Sequence, residues 1–236
     1  GLGGVVVGFA LAFGLCSLVY SVFLRYSPFL FHFSIFVTLV SVFHLLEFCM
    51  TALFHEVRFS SWIIDHSAHY KMAMAAACAE FWIERMLFPE WKHSWSALLI
   101  ALAGLVVMVA GQALRTVSMW QGRESFTHLV QSQARPEHKL VKSGVFAHIR
   151  HPSYLGWFAW SIASQVLLFN PLCVVAFAFA SWQFFAMRIP DEELKLINMF
   201  GEEYVRYRAE TPTCIPLMDG HVDAELQELM PRKKMQ

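Results

Sequence analysis

Apolar runs alternate with short polar breaks along most of the chain. Long runs cover Leu2 to Leu24, Phe29 to Val57, Trp62 to Phe88 and Trp95 to Gln121. Two shorter ones, Tyr154 to Phe169 and Leu172 to Met187, meet at Asn170-Pro171. A helix needs about 20 apolar residues to cross the hydrocarbon core. Strands are excluded, because isolated strands leave their backbone unpaired in lipid. The pattern predicts an all-α, polytopic integral membrane bundle of about six spans. The two-residue break at Asn170-Pro171 is too short for a soluble loop and predicts a helical hairpin. Pro190 is expected to break the last of these helices, with Asp191-Glu192-Glu193 opening a new amphipathic one. Its apolar positions Leu194, Ile197, Phe200, Tyr204 and Tyr207 recur at helical spacing, so that helix should pack down onto the bundle.

Composition supports the membrane assignment. Hydrophobic residues make up 57% of the chain and charged ones 15%, with a mean hydropathy of +0.47, whereas a soluble domain carries about a quarter charged residues. Lys and Arg crowd one side of the predicted spans, at Arg123, Arg135, Lys139, Lys142, Arg150 and Arg188 among others. Only Arg25, Arg85 and Lys92 fall on the opposite side. The bias places both ends of the chain and the long connection after the fourth span in the cytosol. The five cysteines have no metal-ligand spacing and read as reduced thiols. Glu47, Glu80 and Arg115 lie deep in the apolar runs and should be paired inside the bundle or face a wet cavity. The chain starts Gly-Leu-Gly-Gly on an apolar run without an initiator Met, and a preceding portion is expected.

Two polar clusters flank the hairpin. The first runs from His138-Lys139-Leu140-Val141-Lys142-Ser143-Gly144 to Arg150-His151-Pro152-Ser153-Tyr154; the second begins at Arg188 and includes Glu192-Glu193. Opposite ends of a membrane hairpin emerge on one face of the bilayer, so the clusters should meet there. The segment 139–143 reads as extended, with backbone groups available to a small molecule. Pro152 suits the first turn of a helix, whose N–H groups favour an anionic group.

These residues, with Phe200-Gly201, Tyr204 and Tyr207, make the sequence resemble the isoprenylcysteine carboxyl methyltransferases. The specific part of the resemblance covers about Gln131 to Tyr207. It implies S-adenosyl-L-methionine as methyl donor, and a C-terminal prenylcysteine carboxylate of CaaX-processed proteins, farnesyl or geranylgeranyl, as acceptor. It implies a multi-pass location in the endoplasmic reticulum membrane. It implies cofactor contacts at Gln131, His138, Lys139, Leu140, Val141, Phe146, His151, Pro152, Ser153, Tyr154 and Glu192, with Arg188 binding substrate. Arg188 and Glu192 are the expected catalytic pair. Relatives often have Tyr at Phe146 and usually have Gly at Cys214. On this reading residues 1–190 form the transmembrane domain, with a cofactor loop at 122–152, and 191–236 form a cytosolic helix closing the pocket and a tail. The partners expected are prenylated proteins and the lipid bilayer, with no nucleic acid and no metal. The ending Lys233-Lys234-Met235-Gln236 has the spacing of a di-lysine retrieval signal.

Esterifying a carboxylate needs no strong base, since the nucleophile is already anionic. It needs positioning against the methyl donor. An arginine such as Arg188 can grip a carboxylate with two parallel donors, and Glu192 offers an acceptor for a cation. Three other activities compete. A phospholipid N-methyltransferase would have no use for Arg188, a sterol reductase would respond to NADPH, and a transporter should show internal repeats, which this sequence lacks.

Overall fold

A computed structural model of the protein describes residues 2–23, 31–57, 67–92, 94–126 and 139–233. The described residues are all-α, with no strand among them. The helices are α1 (Leu2–Phe23), α2 (Phe31–Phe54), α3 (Ala68–Leu87), α4 (Pro89–Lys92), α5 (Trp95–Gly122), α6 (Pro152–Leu168), α7 (Pro171–Phe200), α8 (Glu202–Glu210) and α9 (Met218–Lys233). Four helical segments are long and apolar enough to cross a membrane: Gly3–Ser21, Phe31–Phe54, Trp95–Ser125 and Pro171–Phe200. The predicted third and fifth spans are not among them. In the third, α3 starts only at Ala68, capped by Ser67, whose side chain accepts from the Tyr70 N–H; it also carries Lys71, Glu80, Glu84 and Arg85. Residues 62–66 of that predicted span lie outside the described residues. The fifth, α6, has 17 residues.

The chain divides into two compact units, residues 1–112 with 159–178 and residues 113–158 with 179–236. In the first unit the hairpin break falls where the sequence placed it. Phe169 closes α6 in the left-handed region, at φ 55°. The Phe169 N–H returns to Val166 O and the Asn170 N–H to Gln165 O, both at 3.0 Å, the paired bonds of a Schellman cap. The carbonyls this cap leaves over are taken up by one cation. Lys92 Nζ donates to Leu168 O at 3.0 Å, Phe169 O at 2.8 Å and Asn170 Oδ1 at 2.9 Å, and pairs with Glu84 at 2.7 Å. Glu80, expected to find a partner, caps the start of α7 by accepting from the N–H groups of Leu172 and Cys173 at 2.8 and 2.7 Å. Asn170 Nδ2 donates to Ala77 O at 2.9 Å and so ties the turn to α3. Close approach is also built in at Gly104, where a Cβ would come within 2.6 Å of Leu167 N.

In the second unit, α7 corrects the prediction at Pro190. The helix does not break there but continues to Phe200, and Asp191-Glu192-Glu193 open no new helix. A proline inside a helix removes one main-chain donor and leaves the carbonyl four residues earlier without its partner. That carbonyl belongs to Ala186, and His221 Nε2, from α9, lies 3.1 Å from it. The imidazole replaces the missing amide. Around this bond Phe185, Ala186 and Ile189 pack with Ile215, Met218, Val222 and Leu226 in one buried cluster.

His221→Phe keeps an aromatic ring but leaves Ala186 O bare, which should cost about 1–3 kcal/mol. Adding Pro190→Ala restores the amide donor. In thermal melts of the detergent-solubilised protein, His221→Phe should therefore cost less than half as much in the Pro190→Ala background. Equal costs in both backgrounds would mean that His221 acts by packing alone.

Candidate active site

A cavity of about 160 Å³, open to solvent on one side, lies within the second unit. Its walls come from the end of α5, a 3-10 turn at Arg123–Ser125, the segment 139–141, Phe146, the start of α6, the last turns of α7, and α8. Local sequence dictates how the loop reaches that position. Gly144 turns at φ +62°, and a Cβ there would sit 2.4 Å from Gln121 Oε1. That same oxygen accepts the Val145 N–H at 2.9 Å. The 3-10 turn Gly144–Ala147 that follows is held by Tyr207, whose hydroxyl donates to Phe146 O at 2.7 Å. Lys139 N–H reaches Ser125 Oγ at 3.3 Å, while segment 139–141 has no helical or strand pairing.

The polar wall is a chain of side chains. Arg188 Nε donates to the Tyr154 hydroxyl at 2.8 Å, and that hydroxyl in turn donates to Glu192 Oε2. The Tyr154 ring stacks on His151, with centroids 5.5 Å apart and planes 8° apart, and carries the Arg188 guanidinium 5.6 Å from its centroid. Arg115, another deep polar residue of the sequence, donates to Ser153 Oγ at 3.0 Å.

Behind this wall lies a buried ion cluster centred on Glu193, which is 0% exposed. One carboxylate oxygen meets Arg150 Nε at 2.5 Å and His151 Nε2 at 3.0 Å; the other meets Arg208 Nε at 2.7 Å. Asp219 adds a contact to Arg150 at 2.9 Å, and Asp223 pairs with Arg208. Arg150 also donates through Nη1 to Thr211 O at 2.7 Å, and Pro212 O accepts the Arg150 N–H at 3.0 Å. Burial opposes the charge on Arg150, but the Coulombic pull of Glu193 and Asp219 outweighs it and raises its pKa. Burial first, then Glu193 and Glu192, push the Tyr204 phenol well above its ordinary value. Tyr204 therefore stays a neutral hydroxyl. It lines the cavity and makes no hydrogen bond among the described residues.

Of the residues named from sequence, Lys139, Leu140, Val141, Phe146, His151, Pro152, Ser153, Tyr154 and Glu192 line the cavity. Arg188 does not line it, and joins it through Tyr154. Gln131 and His138 lie outside the described residues. The aromatic walls Phe126, Phe200, Tyr204 and Tyr207 were not named as site residues. Three of them, Phe200, Tyr204 and Tyr207, appeared in the sequence as the apolar face of a helix and among the residues that carry the resemblance, without a role at the site. Glu193 gave no signal that set it apart from Glu192.

Residues 102–198 match the isoprenylcysteine carboxyl methyltransferase (ICMT) family. The protein-S-isoprenylcysteine O-methyltransferase of Rattus norvegicus is 41% identical over 192 residues, which is 80% of this chain and 66% of the rat protein. That of Saccharomyces cerevisiae is 38% identical over 192 residues, 79% of this chain and 80% of the yeast protein. A solved structure of the eukaryotic intramembrane Ras methyltransferase ICMT matches with a TM-score of 0.84 at 36% identity, covering 90% of this chain and 74% of that one. The chain belongs to the isoprenylcysteine carboxyl methyltransferase family. It spans just under two thirds of the length of the rat relative.

The segment matched to the isoprenylcysteine carboxyl methyltransferase family contains Arg115, the cavity loop, Arg188 and both glutamates. It stops short of Cys214, which takes φ 59°, a left-handed conformation that costs a residue with a Cβ about 1–2 kcal/mol. Cys214→Gly should remove that strain, offset in part by the greater freedom of glycine in the unfolded chain. The thermal midpoint should rise by about 1–3 °C, and an unchanged or lower midpoint would show the turn to be relaxed as it stands.

Proposed function

We propose that this protein transfers a methyl group from S-adenosylmethionine to the C-terminal carboxylate of prenylcysteine on CaaX-processed proteins. The observation that carries the reading is the Arg188–Tyr154–Glu192 chain at the cavity wall, a cation and an anion linked through one hydroxyl. The residues present fit the methyl donor. Aromatic rings at Phe126, Phe146 and Phe200 suit the faces of a purine, and the backbone of 139–141, outside any helix or strand, suits its polar edge. Glu192 suits an ammonium group. S-adenosylmethionine supplies an electrophilic methyl on a cationic sulfur.

The chain's own task is orientation. Arg188 grips the substrate carboxylate with its guanidinium, and Tyr154, by accepting from Nε, fixes the plane in which that guanidinium lies. Glu192 holds the Tyr154 hydroxyl in place by accepting its proton in a hydrogen bond. Positioning of this kind brings a carboxylate oxygen into line with the methyl group and accounts for a large part of the rate. No side chain has to remove a proton. A water-poor site further favours a reaction in which opposite charges are consumed.

In this reading α3 and α6 also traverse the bilayer, giving about six spans, with the cavity facing the cytosol and the end of α7 with α8 closing it from that side. Both chain ends lie in the cytosol, as the distribution of Lys and Arg favours, and the membrane is the endoplasmic reticulum, as the family resemblance implies. The division at residue 190 between membrane and cytosolic parts belongs to the same proposal. A prenyl tail contributes about 0.8 kcal/mol per buried CH₂, which favours entry of the substrate from lipid.

The test is transfer of a labelled methyl from S-adenosylmethionine to N-acetyl-S-farnesylcysteine by the purified protein. Label should appear as a base-labile ester. Methylation of phosphatidylethanolamine instead, or NADPH-dependent reduction of a sterol, would overturn the assignment.

A further inference from the structure

We infer that Glu193 is a positioning residue that holds His151 in one tautomer, so that His151 Nδ1 and the Glu192 carboxylate together accept the α-ammonium of S-adenosylmethionine. The inference deepens the methyl-donor reading above and rests on it. Its first support is the donor count around Glu193. A carboxylate offers only acceptors, so the ring nitrogen 3.0 Å from it, His151 Nε2, must carry the hydrogen. Arg150 and Arg208 already supply two positive charges to this single carboxylate. In the proposed state the ring is neutral, with its hydrogen on Nε2 and a lone pair on Nδ1.

The second support is what Nδ1 faces. Glu192 Oε1 lies 3.8 Å away, too far for a hydrogen bond between the two. Two acceptors set that close together leave a notch suited to one group that donates to both. An ammonium has three N–H donors and a positive charge. The Tyr154 hydroxyl already occupies the other Glu192 oxygen, so the notch falls on the remaining one. Stacking against Tyr154 keeps the imidazole plane from turning away. Both His151 and Glu192 line the cavity, whereas Glu193 does not.

Charge agrees with geometry. Arg150, Arg188 and Arg208 stand against Glu192, Glu193, Asp219 and Asp223 in the linked cluster. Four negative charges against three positive leave one negative charge, which an arriving ammonium balances. Lys195, also on the cavity wall, is engaged by Asp191 at 2.5 Å.

The experiment uses the full detergent-solubilised chain labelled with ¹⁵N-histidine, with His151 assigned by comparison with His151→Gln. Long-range ¹H–¹⁵N spectra at neutral pH should show Nε2 protonated and Nδ1 bare. Calorimetry then compares S-adenosylhomocysteine with the analogue whose α-amino group is replaced by hydrogen. The wild type should prefer the amine by at least about tenfold, the size of a charge-assisted contact. Glu193→Gln should lower that preference to about twofold or less while the affinity for the analogue stays within about twofold. A purely structural role for Glu193 would weaken both ligands alike, and that result overturns the proposal. So does an imidazolium or the Nδ1–H tautomer in the wild type. If Glu193→Gln does not fold, the wild-type spectrum and the wild-type preference decide the matter without it. Binding of neither ligand by the wild type would remove the methyl-donor reading and the ammonium assignment with it, while the spectrum would still report the tautomer.

Discussion

Arg188→Ala is expected to lower methyl transfer by at least about a hundredfold, the scale for losing a charged positioning contact of about 3 kcal/mol. Affinity for S-adenosylhomocysteine should change by less than about threefold, the effect left for a residue one hydrogen bond removed from the ligand. The two effects separate because Arg188 does not itself line the cavity and is joined to its wall through Tyr154. Arg188→Lys should recover little. A lysine ammonium cannot bond the Tyr154 hydroxyl and present two parallel donors to a carboxylate in the same plane. Kinetics with N-acetyl-S-farnesylcysteine and calorimetry with S-adenosylhomocysteine give the two readouts independently. Wild-type turnover in Arg188→Ala would remove this residue from the mechanism. A parallel collapse of cofactor affinity would make it part of the cofactor wall instead.

Lys92→Ala should be the most destabilising single change in the first unit, at about 3–5 kcal/mol, or roughly 10 °C in thermal midpoint. Lys92 is 3% exposed, and its ammonium serves two main-chain carbonyls, one side-chain amide oxygen and one carboxylate. Removing it leaves Glu84 as a buried charge without its counter-ion and strips the end of α6 of its donors. Part of the cost comes from the stranded charge. Lys92→Met combined with Glu84→Gln should therefore be less destabilising than Lys92→Met alone, by at least about 1 kcal/mol. If the double variant melts no higher than the single one, the carbonyls and not the ion pair dominate.

The sequence carried the parts of the fold that depend on local pattern. The hairpin break at Asn170-Pro171 and the limits of α2 and α5 follow from where apolar runs stop, and the structure places them within a few residues. Pro190 failed for a definite reason. Helix breaking by proline is a rule about missing donors, and here the donor is supplied by His221, 31 residues further on, a distance no local rule reaches. The same limit governs the site. Glu192 and Glu193 are adjacent and chemically identical, yet successive helical positions point about 100° apart. One reaches the cavity, and the other is enclosed by Arg150, His151 and Arg208. Only the convergence of three segments tells them apart. The cavity loop was legible because its Ser-Gly turn and Pro152 are written locally. Tyr204 and Tyr207 were not, because an aromatic residue on a helical face reads as packing wherever it lies.

The turn that joins α6 to α7 has a bearing on how the chain is built. Ala77, Glu80, Glu84 and Lys92, which accept and donate around that turn, all precede Asn170 in the sequence. A ribosome releases them first. When residues 165–173 leave the exit tunnel, the groups that will satisfy their exposed carbonyls and amides are already installed upstream. The hairpin can thus enter lipid as one piece, its bare tip quenched on arrival. A circular permutation that made α6 and α7 before α3 would reverse that order and send the tip into the bilayer without its partners.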